Sequence, residues 1–268
     1  MSLSSILALV DAKHGASTLR LAGLASEKLA APVDALIVRR DARESLPMIG
    51  EGVSGEVVQQ IMDAAAADAE ADVKAARAVI DAWPYAADAQ VIEDTGRVGD
   101  VVARVGRTHG LTIAPCGSDF GVTDAIDAAL FRTGRPALIS PLQEVKSVGD
   151  RIAIFWNDSA EAAKSVWGAI PFLRGAGKIT AFSVDDLDVA EASLGRLKDG
   201  LARAGVNIQT QAIDESDASR RLVDAAAEMD ADLVIMGAFT HSRLRELVLG
   251  GVTQSVLDGL ARPTLMAH

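Results

Sequence analysis

The chain of 268 residues is 49% hydrophobic and 24% charged, the balance of a globular protein with room for one large or two medium cores. Its net charge of −11 works against nonspecific nucleic-acid binding, which needs Lys and Arg to neutralise phosphates, and against docking on an anionic membrane. The single cysteine, Cys116, excludes an intramolecular disulfide and a cysteine-based zinc site, and no apolar run reaches the roughly 18 residues of a membrane span.

Aromatic residues make up only 4% of the chain, so the core has to be built from Ala, Val, Leu and Ile. Met1 to Val10 lacks the basic region and long apolar run of a signal peptide, and a cytoplasmic location is expected. Taken in chain order, short apolar runs predict strands near 4–11, 34–38, 89–92, 111–115 and 137–140. A second set follows near 151–157, 178–184, 207–213, 233–237 and 264–267. The segments between them carry helical spacing. Val98, Val101, Val102 and Val105 fall on one face, and a stripe from Val58 through Ile61, Met62, Ala65, Ala69, Val73, Ala76 and Ile80 to Trp83 predicts one long helix that Pro84 ends.

The two sets of strands repeat each other. Gly134-Arg135-Pro136-Ala137-Leu138-Ile139 matches Ala261-Arg262-Pro263-Thr264-Leu265-Met266. The run Leu111 to Ala114 matches Leu233 to Met236, and Ile6 to Asp11 matches Ile152 to Asn157. Three landmarks in the same order predict a duplication, with halves at 1–147 and 148–268 joined by a linker near 145–150. Alternating strands and helices predict an α/β fold: two tandem, doubly wound, mainly parallel five-stranded sheets of Rossmann-like type. Such sheets bind ligands beyond the carboxyl ends of the strands, where the strand order reverses. That rule points to Asp11 and Asn157 after the first strand of each half, and to Cys116 and Gly237 after the fourth.

The most informative stretch runs from Gly237 to Thr253. It leaves a strand and reaches Gly250-Gly251-Val252-Thr253 at a predicted helix start. Glycines permit a tight turn and close backbone approach, while a helix N-terminus offers free N–H groups to an anion. With Asp232 to Met236 before it and Arg262 to Met266 after it, the stretch resembles the C-terminal signature of the universal stress protein family. Asn157-Asp158-Ser159, followed by Glu161-Ala162-Ala163, is similar to that family's first strand-to-helix turn. The resemblance covers nearly all of the second half and reaches the first through the landmarks above, so the whole chain looks like a tandem member.

The resemblance implies an adenine nucleotide such as ATP, bound in the second half. It places the adenosine near Asn157 and Val184, and the phosphates against Gly237, Thr240, Gly250, Gly251, Val252 and Thr253, with Met236 as a further nucleotide-binding position. Two positions depart from the ATP-binding pattern. Thr240 stands where that pattern has glycine, which limits positive φ, and Gly251 stands where it has Ser or Thr, which removes a hydroxyl. Asn157 replaces the usual Asp and keeps hydrogen-bonding capacity without charge. Half one keeps Asp11 but spans 20 positions from Pro115 to Arg135, against 25 from Gly237 to Arg262, so the phosphate loop is missing there. It is longer elsewhere, with 100 positions from Asp11 to Leu111 against 76 from Asn157 to Leu233.

Other features carry less. Gly50-Glu51-Gly52-Val53-Ser54-Gly55 matches the dinucleotide fingerprint but does not follow the first strand of a βαβ unit, and reads as a loop leading into a helix. None of His14, His109, His241 and His268 stands at ligand spacing from another, so no metal site is expected. His109 suits the C-terminal end of a helix dipole. Cys116 reads as a small strand-end residue, with a redox role as the sharper alternative. No nucleophile–base pair stands out, which argues against an enzyme. Three functions remain on the sequence: a nucleotide-sensing stress-response module, a ligand-free structural or partner-binding protein, and an enzyme acting on an adenylated substrate. The family's pairing through final strands implies a pseudo-dimer inside one chain, with 137–140 and 264–267 antiparallel, and leaves a further homodimer open.

Overall fold

The structure is a computed structural model that describes residues 4–45, 54–117, 120–213, 218–238 and 262–268. The first half contributes β1 (Ile6–Leu9), β2 (Val33–Arg39), β3 (Gln90–Thr95), β4 (Leu111–Pro115) and β5 (Ala137–Ser140). The second contributes β6 (Arg151–Phe155), β7 (Lys178–Val184), β8 (Gln209–Ile213), β9 (Leu233–Gly237) and β10 (Thr264–Ala267). The two predicted five-stranded sheets are fused into one ten-stranded sheet, ordered β3-β2-β1-β4-β5-β10-β9-β6-β7-β8.

Every neighbouring pair is parallel except β5 and β10, which run antiparallel with Leu138 opposite Leu265 and Ala137 opposite Met266. This is the expected pairing of final strands. It reverses the sheet direction at its centre, so the carboxyl ends of the first five strands and of the last five lie on opposite edges.

Strand residues alternate between two apolar layers, as a sheet covered on both faces requires. One layer gathers Ile6, Ala8, Ile113, Leu138, Ile154, Ile235 and Leu265. Helices α1 (Gly15–Leu29), α2 (Gly55–Asp81), α5 (Ala160–Gly168), α6 (Ile170–Arg174) and α7 (Leu187–Arg203) bury their apolar stripes against it. The other layer gathers Leu7, Leu9, Ala114, Ile139, Phe155, Val234 and Met266 under α3 (Val98–Gly106), α4 (Phe120–Phe131) and α8 (Ala218–Glu228).

Several boundaries differ from the sequence reading. The long stripe forms α2, capped by the Ser54 hydroxyl accepting from the Val57 N–H, but only Ala69, Val73, Ala76 and Ile80 of the helix are buried. Val58, Ile61, Met62 and Ala65 are half-exposed, and the helix stops at Asp81. Trp83 is buried from the following turn, because the residue before Pro84 is steered out of helical conformation. β1 and β6 are shorter than expected because Asp11 and Asn157 draw the chain into turns.

The predicted linker is tied down. Val145 and Val148 are buried, and the Asp232 carboxylate accepts from the Ser147 hydroxyl (2.7 Å) and from the N–H groups of Asp150 and Arg151. Gly149 takes a φ of +79°, and a side chain there would come within 2.9 Å of Phe172. From the first half, Arg20 pairs with Glu144 (2.7 Å) and Lys28 with Asp150. His109 stands just past the C-terminal end of α3, as expected, and is buried there: Nδ1 lies 2.9 Å from the Val105 carbonyl and Nε2 2.9 Å from Asp34 on β2.

Two predictions follow from this packing. Leu265 is 1% exposed at the centre of the β5–β10 join, so Leu265→Glu buries an unpaired carboxylate, at a cost of roughly 3 kcal/mol or more. Thermal denaturation should show one transition for the whole chain, lowered by several degrees. Glu93 on β3 accepts from Arg39 (2.8 Å) and Arg77, and these guanidiniums hold its carboxyl below the usual range. The folded value lies below the unfolded one, so the stabilisation is present above the ordinary carboxylate range and is lost as pH falls through the folded value. Glu93→Gln should therefore cost up to about 1 kcal/mol at neutral pH, and chemical denaturation should show the deficit shrinking below about pH 4.

Candidate functional site

In the second half the chain moves outward from β6 to β7 and β8, then returns to the other side of β6 as β9 and β10. The reversal lies between β6 and β9, whose register sets Phe155 opposite Met236 and, on the other side, Phe155 opposite Phe182. Asn157, Val184 and Gly237 therefore share the carboxyl edge of three adjacent strands. The sequence places these residues 27 to 80 positions apart, and the sheet brings them to one crevice. Met236 stands there too, but its side chain packs into the apolar layer with Phe155 and Met266, so this position offers backbone groups. Thr240, Gly250, Gly251, Val252 and Thr253 lie outside the described residues.

The crevice is roofed by the first turn of α5. A side chain on Gly237 would stand 2.6 Å from the Ala162 backbone nitrogen and 3.0 Å from the Glu161 carbonyl carbon, closer than real contacts allow. Glycine at the end of β9 is thus what lets the N-terminus of α5 settle onto the strand. The Ser159 hydroxyl caps that helix, accepting from the Ala162 N–H at 3.1 Å. Asn157 holds the cap in turn: its side-chain oxygen accepts from the Ser159 hydroxyl (2.7 Å) and N–H (3.3 Å). Its NH2 group makes no hydrogen bond among the described residues. Asp158, at φ +55°, reaches across to Arg196 on α7 at 2.7 Å. Neither Ser159 nor Arg196 was singled out as a site residue. The hydroxyl ahead of a helical run could have signalled the cap, whereas nothing local in the sequence links residues 158 and 196.

The equivalent crevice of half one lies between β1 and β4. Asp11 takes the place of Asn157 and makes the same kind of turn, accepting from the N–H groups of Lys13 (2.8 Å) and His14 (2.5 Å). Its other oxygen meets His14 Nδ1 at 3.0 Å. The His14 ring is buried and turned toward the end of β4, its Nε2 3.8 Å from where a side chain on Gly117 would begin. A buried ring of the protein itself therefore lies beside the end of β4. Gly55, last of the fingerprint-like glycines, has open space around it and starts α2, so no close approach requires glycine there; residues 50–53 lie outside the described residues.

Against known proteins, residues 172–268 match the model of the universal stress protein family. That match covers most of the C-terminal half, starting within α6. Across the whole chain, the fold is similar to that of a universal stress protein from Archaeoglobus fulgidus DSM 4304, with TM-score 0.70 at 15% identity over 98% of this chain and 97% of that one. It is also similar to a putative universal stress protein from Pseudomonas aeruginosa UCBPP-PA14, with TM-score 0.57 at 16% identity over 98% and 92% of the two chains. No curated protein matches. Full-length coverage extends the universal stress protein fold to both halves. Among the described residues no helix is long and apolar enough to cross a membrane, and no three His, Cys, Asp or Glu side chains cluster to hold a metal ion.

If Gly237 serves helix packing in this domain, Gly237→Ala should lift α5 from β9. We expect a loss of about 2 kcal/mol or more in urea denaturation, whereas Gly195→Ala on the open face of α7 should gain about 0.5–1 kcal/mol, as alanine is the better helix former.

Proposed function

We propose that the second half binds an adenine nucleotide in the crevice between β6 and β9, as a sensing module without catalysis of its own. The observation that carries this reading is the convergence of Asn157, Val184 and Gly237 at the strand-order reversal, beneath a helix N-terminus. Asn157 offers a ribose or base an NH2 donor that is uncommitted among the described residues, and the edge of β7 at Val184 offers backbone groups. Gly237 begins the Gly237–Thr253 stretch, in which Thr240, Gly250, Gly251, Val252 and Thr253 are the proposed phosphate partners. The described rim is acidic, with Asp158, Glu161, Asp185 and Asp186, and its one nearby guanidinium, Arg196, is already paired. Positive charge for a polyphosphate must then come from Arg243 and Arg245 within that stretch. In half one, the buried His14 ring lies beside the end of β4 and the loop is five positions shorter, which supports a single nucleotide per chain.

A second reading is supported by the same departures: with Thr240 and Gly251 in place and acid around the rim, the pocket works as a ligand-free surface for a protein partner. Calorimetry separates the two. Each missing hydrogen bond to a charged group is worth about 1.5–3 kcal/mol, so Thr240→Gly with Gly251→Ser should tighten ATP binding at least about tenfold. No binding before or after these changes supports the ligand-free reading.

A further inference from the structure

Away from both crevices, the amino ends of β2 and β3 carry a cleft of about 290 Å³. Its walls are the C-terminal turn of α1 with the start of β2, from Ser26 and Ala30 to Val33, and the turn after α2, with Trp83, Tyr85 and Asp88. The chain has one tyrosine and three tryptophans, and the tyrosine and one tryptophan stand together here, ring centroids 5.3 Å apart and tilted by 55°. Trp83, 8% exposed, suffices to plug the end of α2. Tyr85 is 40% exposed and adds little to the core.

The tyrosine ring is nonetheless held firmly. Gly23 leaves room for it, since a side chain there would stand 2.9 Å from the ring edge. Its hydroxyl donates to Glu27 on α1, and this bond and the carboxylate charge keep the phenol protonated beyond its ordinary range. The site is also negatively charged. Asp88 lines the cleft, and its carboxylate has no hydrogen bond or ion pair among the described residues. No Lys, Arg or His lines the cleft, and Lys28 on the same helix as Ser26 is committed to Asp150.

Rigid aromatic faces beside an unpaired carboxylate, with no competing cation, suit one class of ligand. We propose that this cleft binds a small organic ammonium cation, its charge set against the Trp83 and Tyr85 rings and the Asp88 carboxylate. Ring quadrupoles attract such cations, and methylated ammonium groups surrender water readily enough to lie on apolar walls. The matching turn of the second half, from Ala204 to Ile208, carries no aromatic residue. It is independent of the nucleotide proposal.

The test is titration of the isotope-labelled full-length protein with choline chloride, followed by amide NMR, with sodium chloride as the ionic control. A parallel titration uses 3,3-dimethylbutan-1-ol, the uncharged shape mimic. Choline should shift the amides of Ala30, Ala31, Val33, Trp83 and Tyr85 to Ala89 and saturate, while the alcohol binds at least about fivefold more weakly. The exposed substitution Asp88→Asn should weaken choline about two- to fivefold, and Tyr85→Leu should weaken it further with the amide spectrum otherwise retained. Equal binding of choline and the alcohol overturns the proposal, as do shifts elsewhere, no shifts, or an unchanged affinity in Asp88→Asn.

Discussion

Three residue pairs, Ile139 with Thr264, Leu138 with Leu265 and Ala137 with Met266, join the two halves in one sheet. Without that antiparallel ladder each half would present its last strand as an open apolar edge, and such an edge must be paired or covered. The ladder makes the two apolar layers continuous from one half to the other. It lets α1 reach the connecting segment through Arg20 and Lys28, and lets Phe131 of α4 stack edge-on against His268 at 4.6 Å. It also fixes where ligands can approach, because reversing the sheet at its centre sends the two crevices to opposite edges, too far apart to share one small ligand.

The halves use one backbone device for different ends. After the first strand, an acidic or amide side chain folds back on the following N–H groups, and an oxygen is all that turn needs. Asp11 and Asn157 are therefore equivalent as turn formers and unlike as neighbours of a ligand. Asp11 meets the buried His14 ring at 3.0 Å beside the first crevice. The NH2 group of Asn157 has no hydrogen-bond partner among the described residues. The connection after the fourth strand is also five positions shorter in half one than in half two.

The sequence was most legible where strands are buried on both faces. Leu111–Pro115, Ala137–Ser140, Lys178–Val184, Leu233–Gly237 and Thr264–Ala267 fall at their expected limits, because continuous apolar runs have few other homes. Strand ends were less legible where a side chain, as at Asp11, competes with the ladder. The role of His109 was hidden because its partner Asp34 is 75 residues away. The connecting segment read as a linker from its Lys, Ser, Gly and Asp residues, yet Asp232 binds it through groups that only the fold brings near. In the candidate site, strand-end positions followed from topology, whereas the tight seat of α5 on Gly237 depends on a helix 75 positions earlier in the chain. The phosphate-loop positions Thr240 and Gly250 to Thr253 rest on the sequence and the family resemblance.

The central claim is that the second crevice, and not the first, receives a nucleotide. Hydrogen–deuterium exchange of the intact chain with and without ATP tests it directly, since amides at both crevices report in one experiment. The account predicts slowed exchange at the end of β6 and the start of α5, around Asn157 to Ala162, and at the end of β9 around Gly237, with Asp11 to Ser17 and Pro115 to Gly117 unchanged. Protection confined to the first crevice, or at neither one under saturating ATP, would contradict it.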